Sequence, residues 1–465
     1  GIICVWFDSG QRRENSKEKI DIMNKPDNQL KTESNAVTPR AQDYSQWYQD
    51  VIASADLAEH SVVRGCMVIK PYGYAILEKI VAILDSMFKS MGVKNAYFPL
   101  FIPESFLKRE AKHVKCFSPE LAVVTHGGGS KLEEPLVVRP TSETIIYDSF
   151  SKWIQSYSDL PLVINQCANV VRWEMRPRLF LMTTEFLWQE GNTAHATLQE
   201  ADEYALRILN EVYAKFVQKY LAMPVYTGQK SEGEKFAGAL NTYCIEALMQ
   251  DGKSLQSGTS HNLSDNFSKS FNVTFLDKDG QRKNVFQTSW GVSTRLIGGL
   301  IMMHSDDKGL VLPPHIAPVQ VIIIPIIKAG DEAVLSATKF VANQLTGISV
   351  EIDSRDHLRP GEKYYEWEKK GVPIRMEIGP KDLEKGTVVL VRRDTGVKES
   401  CAIDQVKKRV DEILEDIQSN LFVTALERRE ESNKTANSWQ EFEEKIKQGG
   451  YVFAHWCGDE SCEAN

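Results

Sequence analysis

The stretch VVRWEMRPRLFLMTTEFLWQEG, residues 170–191, sets Arg172, Glu174, Arg176 and Arg178 among side chains of the kind that build a core. Side chains of an extended strand alternate faces, so Arg172 and Glu174 point one way, and on the second run Met182, Phe186, Trp188 and Glu190 share a face. A guanidinium offers a planar fork to phosphate or carboxylate, and an aromatic face beside it stacks a base or walls a small apolar pocket. A nucleotide or another small anion suits such a hairpin; a surface hairpin laced with ion pairs is the plainer reading. Three further stretches carry groups of the same kind. RPTSET at 139–144 offers Thr141 and Glu143; QSGTSHNL at 256–263 offers Gln256, Thr259 and His261 beside Gly258; SWGVSTRLIGG at 289–299 puts Arg295 at a predicted helix start. Taken singly, these also read as a helix cap, a solvated loop and a solvated charge.

The elements that must hold these residues follow from hydrophobic spacing. Ile76, Ile80, Ile83, Leu84, Met87 and Met91 recur at helical intervals over Tyr72 to Met91, and Gly92 stops the pattern before the extended run NAYFPLFIP, broken by Pro99. Between 131 and 300 the extended segments PLVVRP, VVRWEM, FLMTTEFLWQ, FNVTFLD and VFQTSW mix with helical ones such as Leu198 to Leu221, which predicts an α+β domain on an antiparallel sheet. Pro313, Pro314 and Pro318 mark a linker. Beyond it the order strand, helix (331–346), strand, helix (361–370), two strands and helix (402–417) predicts a separate α/β domain. A charged, helical third piece begins near Leu421. The predicted organisation is a poorly ordered leader over 1–42, a catalytic-type domain over 43–315, an α/β domain over 316–420 and a short α+β piece over 421–465.

Bulk properties narrow the function. A chain of 465 residues has room for several cores, and a formal net charge of −8 excludes coating nucleic acid by bulk electrostatics, leaving only a local basic patch. The eight cysteines are scattered rather than packed in a disulfide framework, which points to a reducing, cytosolic setting. VQVIIIPII at 319–327 is too short to span a bilayer, and GIICVWF lacks the basic leader and cleavage site of a signal peptide. VWFDSG at 5–10 is similar to a short signature of class I synthetases, but six residues carry no fold.

In their order and spacing the motifs resemble the core of a class II aminoacyl-tRNA synthetase, and specifically the prolyl-tRNA synthetase family of the archaeal and eukaryotic type. NAYFPLFIP with Pro99 is like the first class motif, RWE with its hairpin like the second and GVSTR like the third, and RPTSET, GTSH and WCGDESCE agree with them. The resemblance covers about Asp43 to Glu463 and implies ATP-dependent joining of proline to its tRNA through a prolyl-adenylate by a cytoplasmic homodimer. Arg172 and Arg295 would serve catalysis, on the α- and γ-phosphate sides. Glu174, Thr183, Gln256, Thr259 and Ser293 would surround ATP, with magnesium arriving on the nucleotide. Thr141, Glu143, Phe186, Trp188, His261 and again Arg172 would hold proline. In the α/β domain Arg355, Lys363, Arg375, Arg392 and Arg393 would contact the anticodon, with Tyr364 and Trp367 assisting. About 100 residues separate Glu190 from Trp290, which leaves no room there for a large editing domain.

The chain departs from the family pattern at several places. An arginine is expected where it has Met182, proline at Leu179, threonine at Pro177, histidine at Asn192 and Gly-Gln at Ser264-Asp265. Arg176 or Arg178 would replace the missing charge if the turn swings inward, a movement that Pro177 restricts. Met182, Asn192 and the short C-terminal piece favour the alternative of a catalytically impaired paralogue acting as an RNA-binding or regulatory protein; intact Thr141, Glu143, Arg172, His261 and Arg295 favour the enzyme. A third reading, an adenylating enzyme loading a carrier, is opposed by the anticodon-like domain. Cys457 and Cys462 are spaced like half a zinc site, and with no second pair following them no metal site is expected.

Overall fold

A computed structural model describes residues 2–5, 37–109, 121–174, 176–327 and 332–458. Amphipathic spacing is realised in the helix Pro71–Ser90, which starts on a proline at its first turn and buries Ile76, Leu77, Ile80, Leu84 and Phe88. That face packs with the helical segment Leu198–Tyr220 into the main core. The core lies against a seven-stranded sheet, in the order Val225–Gln229, Asn241–Leu248, Ser254–Ser264, Phe286–Ser293, Glu185–His195, Leu162–Val171 and Lys94–Asn95. Every pair in it is antiparallel except the last, so the predicted α+β class holds. PLVVRP falls instead in a separate three-stranded sheet with Phe101–Pro103 and Ala122–Gly127, and NAYFPLFIP keeps only short strand pieces around its prolines.

The α/β domain is a five-stranded sheet ordered Val350–Ile352, Val321–Pro325, Ile374–Ile378, Thr387–Arg392 and Lys398–Ala402, parallel in its first two pairings and antiparallel in the others. The strand Lys398–Ala402, polar on both faces apart from Cys401 and Ala402, escaped the sequence reading. Helices Glu332–Gln344 and Val406–Glu431 cover the apolar face.

Two predicted boundaries shift. Residues 37–42, assigned to the leader, are held: the Thr38 amide donates to Asp50 at 2.8 Å, and Arg40 binds Asp307 through its amide and Nε at 2.9 and 3.0 Å. Ile2–Val5 also forms a strand, antiparallel to Tyr451–His455. Residues 6–36 and Cys462 lie outside the described residues. At the other boundary, Val406–Glu431 runs through position 420 without a break. Val410, Ile413 and Ile417 sit in the core of the α/β domain while Ala425 sits in that of the sheet domain, so burial in two cores continues the helix where charge density had marked a boundary.

The two domains meet closely at Gly309. Its φ is +133°, and a Cβ there would lie 2.9 Å from the Lys369 Cα and 3.0 Å from the Lys369 carbonyl oxygen. Gly309→Ala is expected to destabilise the protein by about 2 kcal/mol, because strain and a backbone clash combine. Chemical denaturation reads this directly, and an unchanged midpoint would contradict it.

Candidate active site

One face of the seven-stranded sheet forms the floor. Alternation puts Phe186, Trp188, Glu190 and Asn192 on that face. The register sets Ser293 opposite Trp188, Gly291 opposite Glu190 and Ser289 opposite Asn192; the next strand adds Thr259 opposite Gly291 and His261 opposite Ser289. Gly291 is required by closeness: a Cβ there would meet the Trp188 ring at 3.3 Å and the Gln189 carbonyl at 3.1 Å.

Arg172 stands just past the end of Leu162–Val171. Its amide donates to the Thr184 carbonyl at 2.8 Å and its Nε to the Pro140 carbonyl at 3.0 Å. The guanidinium carbon lies 5.5 Å from the Phe186 ring centre and 5.7 Å from that of Trp188, within cation–π range of both. The bond to Pro140 ties Arg172 to the loop carrying Thr141 and Glu143, whose side chains are hydrogen-bonded to each other and buried. Arg139, which sequence reasoning passed over, anchors that loop while only 1% exposed. It donates to the Asn169 and Phe98 carbonyls at 2.7 Å and to Asn169 Oδ1 at 2.8 Å. A lone arginine before a proline carries no sequence signal of burial.

Behind Glu143 lies a second carboxyl that sequence reasoning placed on this face without a role. Glu190 Oε1 accepts from Ser142 Oγ and Gln166 Nε2, both at 2.5 Å, and Gln166 Oε1 takes the Phe98 amide at 3.0 Å. Burial, and then the neighbouring Glu143, push the Glu190 carboxyl up to about 7, against the hydrogen bonds that favour its charged form. A group whose folded pKa is raised in this way binds its proton in the native state while the unfolded chain has already lost it. Stability therefore falls as pH rises from about 4.5 to about 7, by on the order of 1 to 3 kcal/mol. Glu190→Gln, which keeps the shape and a donor, is expected to flatten that slope in denaturation midpoints taken across this range. An identical slope in the variant would remove Glu190 as its source.

His261 stays neutral at pH 7, pushed down to about 3 by burial and then by Lys230 and Arg172, with Nδ1 3.0 Å from Thr242 Oγ1. Its ring stacks on Phe236 at 4.6 Å. Asn192 is also buried, 1% exposed, and its Oδ1 and the Ser289 Oγ opposite it have no hydrogen-bond partner among the described residues. This departure from the family pattern is therefore an internal feature of the sheet.

The residues expected on the nucleotide side are each held locally. Arg295 opens the helix Arg295–His304, as predicted; its amide donates to Ser293 Oγ at 3.2 Å and its Nε to the Leu181 carbonyl at 3.4 Å. Glu174 accepts from the Arg176 amide at 2.8 Å, and buried Thr183 donates to the Glu185 carbonyl at 2.7 Å. Gln256 pairs with Glu246 beyond a bulge, on the strand that carries Thr259.

The loop between the two long strands differs from the short turn expected. The second strand resumes only at Glu185, and before it Arg178 and Met182 exchange backbone hydrogen bonds of 2.6 and 2.9 Å around a turn with Phe180 at φ 63°. Leu179 and Phe180 turn into the main core, and the Tyr48 hydroxyl donates to the Leu179 carbonyl at 2.7 Å. Their burial interrupts the alternation that would have put Met182 on the face of Phe186. Met182 sits in the turn instead, 42% exposed, with Arg176 and Arg178 also exposed.

In the α/β domain the five predicted anticodon cations all have carboxylate partners within the chain. Arg355 binds Asp353 at 2.6 and 2.9 Å and Glu366 at 2.9 Å; Arg375 binds Glu377 at 2.9 and 3.0 Å over the Tyr364 ring; Arg392 binds Asp394 at 2.7 and 3.0 Å and also Asp416. Two are corrected. Lys363 is 2% exposed and donates to the Asp353 carbonyl at 3.0 Å, and Arg393 is 8% exposed and engaged with Asp306 of the sheet domain. Neither presents its charge to a partner, because paired burial is how a domain interior accommodates such groups. Trp367 likewise spends its indole N–H on Asp353 at 2.9 Å.

Among the described residues no group of three metal-ligating side chains assembles, and no helix is long and apolar enough to cross a membrane. Residues 125–304 match the model of the tRNA synthetase class II core domain (G, H, P, S and T), and residues 320–413 that of the anticodon binding domain. The chain is 58% identical over 447 residues to the proline–tRNA ligase of Porphyromonas gingivalis, covering 92% of this chain and 90% of that one. It is 57% identical over 431 residues to that of Chlorobaculum tepidum (92% and 89%) and 56% identical over 440 residues to that of Bacteroides fragilis (91% and 88%). Sheet, motifs and relatives agree, and the chain belongs to the proline–tRNA ligase family of class II aminoacyl-tRNA synthetases.

Proposed function

We propose that the protein joins proline to the 3′ end of proline tRNA, using ATP, through a prolyl-adenylate with release of pyrophosphate. The observation that carries this reading is Arg172, fixed between the Pro140 carbonyl and two aromatic rings and tied to the loop of Thr141 and Glu143. Glu143 and Thr141 take the imino group, Phe186, Trp188 and His261 wall the ring, and Arg172 bridges the proline carboxylate to the α-phosphate. Arg295 meets the γ-phosphate, and Glu174, Thr183, Gln256, Thr259 and Ser293 line the nucleotide. Attack of the carboxylate on the α-phosphorus needs alignment and charge stabilisation more than an acid or base, which suits a site of arginines and oriented dipoles. Magnesium carried by the nucleotide would supply charge neutralisation at the phosphates, beside the charge that Arg172 and Arg295 provide.

The catalytic domain spans about 43–315 with the anticodon domain after it, where Arg355, Arg375 and Arg392 remain the contacts for the unpaired anticodon bases. The segment between Glu190 and Trp290 is filled by the sheet's own strands and the helices between them. A homodimer suits the apolar surface at the first class motif, where Tyr97, Phe101 and Trp153 are 71%, 44% and 50% exposed around Phe98. Proline-dependent exchange of labelled pyrophosphate into ATP, followed by charging of proline tRNA, tests the reading. Exchange no greater than in a no-proline control would overturn it.

A further inference from the structure

Arg393 belongs by sequence to the anticodon domain, yet its side chain closes on the sheet domain. Its Nη1 and Nη2 donate to the two Asp306 carboxylate oxygens at 2.8 and 2.7 Å, and its Nε donates to the Glu368 carbonyl at 2.8 Å. Burial pushes the Asp306 carboxyl up, but the hydrogen bonds and charge of Arg393 outweigh it and hold it below the usual range. Asp306 stands two residues past the helix Arg295–His304, in a turn held from several sides. Trp47 Nε1 donates to the Asp306 carbonyl at 2.9 Å, Arg40 binds Asp307, and the Leu310 amide donates to the Lys369 carbonyl at 3.0 Å.

The other end of that helix is the nucleotide site. Arg295 is its first residue, and the helix of 10 residues, roughly 15 Å long, runs from it to the turn. The helix lies hard against the loop that precedes Glu185: a Cβ on Gly298 would meet Leu181 Cδ2 at 2.4 Å and the Tyr48 hydroxyl at 2.9 Å. Arg295 Nε reaches the Leu181 carbonyl as well. A close-packed helix moves as a body, so a displacement at Asp306 carries both Arg295 and the Leu179–Met182 turn with it.

From this geometry we infer that Asp306 and Arg393 are positioning residues for adenylation: the anticodon domain, through this clamp, sets the placement of Arg295 and its neighbouring loop over ATP. The inference rests on the proposed role of Arg295 at the triphosphate. It distinguishes ATP from proline, because Thr141, Glu143, Phe186 and His261 lie on strands and a loop that the helix does not carry.

The test uses the full chain with Asp306→Asn, with Arg393→Lys as a milder change, and with the exchange Asp306→Arg, Arg393→Asp. Equilibrium dialysis gives the ATP dissociation constant, and pyrophosphate exchange gives KM for ATP and for proline. The single variants are expected to raise the ATP constants about tenfold while KM for proline stays within about twofold, and the exchanged pair is expected to recover part of the loss. ATP constants equal to the parent's in folded variants would overturn the inference. So would an even loss of all parameters alongside a lowered Tm, which marks a merely structural contact. Dialysis does not depend on proline, so a parent chain without exchange would sink the functional reading while leaving the clamp testable.

Discussion

Arg172→Ala is expected to lower kcat/KM for proline-dependent pyrophosphate exchange by on the order of a thousandfold, at the upper end of what one lost transition-state donor removes. The reason is convergence. One guanidinium holds the Pro140 loop and packs on Phe186 and Trp188, so on the proposed reading its loss removes a charge from the developing phosphorane and loosens the wall of the proline pocket. Arg172→Lys tests the geometry: a point charge cannot serve carboxylate and phosphate as a fork does, so recovery is expected to stay within about tenfold of the alanine variant. Exchange by Arg172→Ala within tenfold of the parent would show that the centre of the reaction lies elsewhere on the sheet.

Met182→Arg is expected to act in the opposite direction, raising kcat/KM for ATP by about tenfold. A charge-assisted hydrogen bond contributes about 1.5 to 3 kcal/mol, and an exposed position draws from the lower part of that range. The exposed turn that holds Met182 has room for the longer side chain, and Pro177 limits how far Arg176 and Arg178 can swing to substitute. Titrating ATP in the exchange assay of both chains gives the answer. Equal values would mean that one of those two arginines already supplies the contact, and the double variant Arg176→Ala, Arg178→Ala would then lose what Met182→Arg failed to add.

Much of this site was legible because its parts lie on regular elements. Alternation alone put Phe186, Trp188 and Glu190 on one face, and the helix start at Arg295 followed from the change of rhythm after Ser293. The turn around Met182 was not legible, since Leu179 and Phe180 read equally well as strand residues or as anchors turning into a core formed by distant segments. Charge was the least readable property. Lys363 and Arg393 have the composition of an RNA-facing surface, but Asp353 and Asp306 reach them only in the folded chain, and the two are internal. Helix Val406–Glu431 shows the same limit at a larger scale: a run of charged residues suggested a boundary where burial in two cores runs on.

That helix also makes chain length itself a structural variable. Its 26 residues are a rod of roughly 39 Å fastened at several points: Gln418 donates to the Lys219 carbonyl at 2.8 Å, Arg428 to that of Met303 at 3.1 Å and Arg429 to that of Val225 at 3.0 Å. One residue inserted after Leu421 would rotate everything beyond it by roughly 100° and advance it about 1.5 Å, turning both arginines off their carbonyls at once. Surface loops elsewhere tolerate a changed count, but here the number of residues is a phase, and the paired strands Tyr451–His455 and Ile2–Val5 are mounted at the angle that phase dictates.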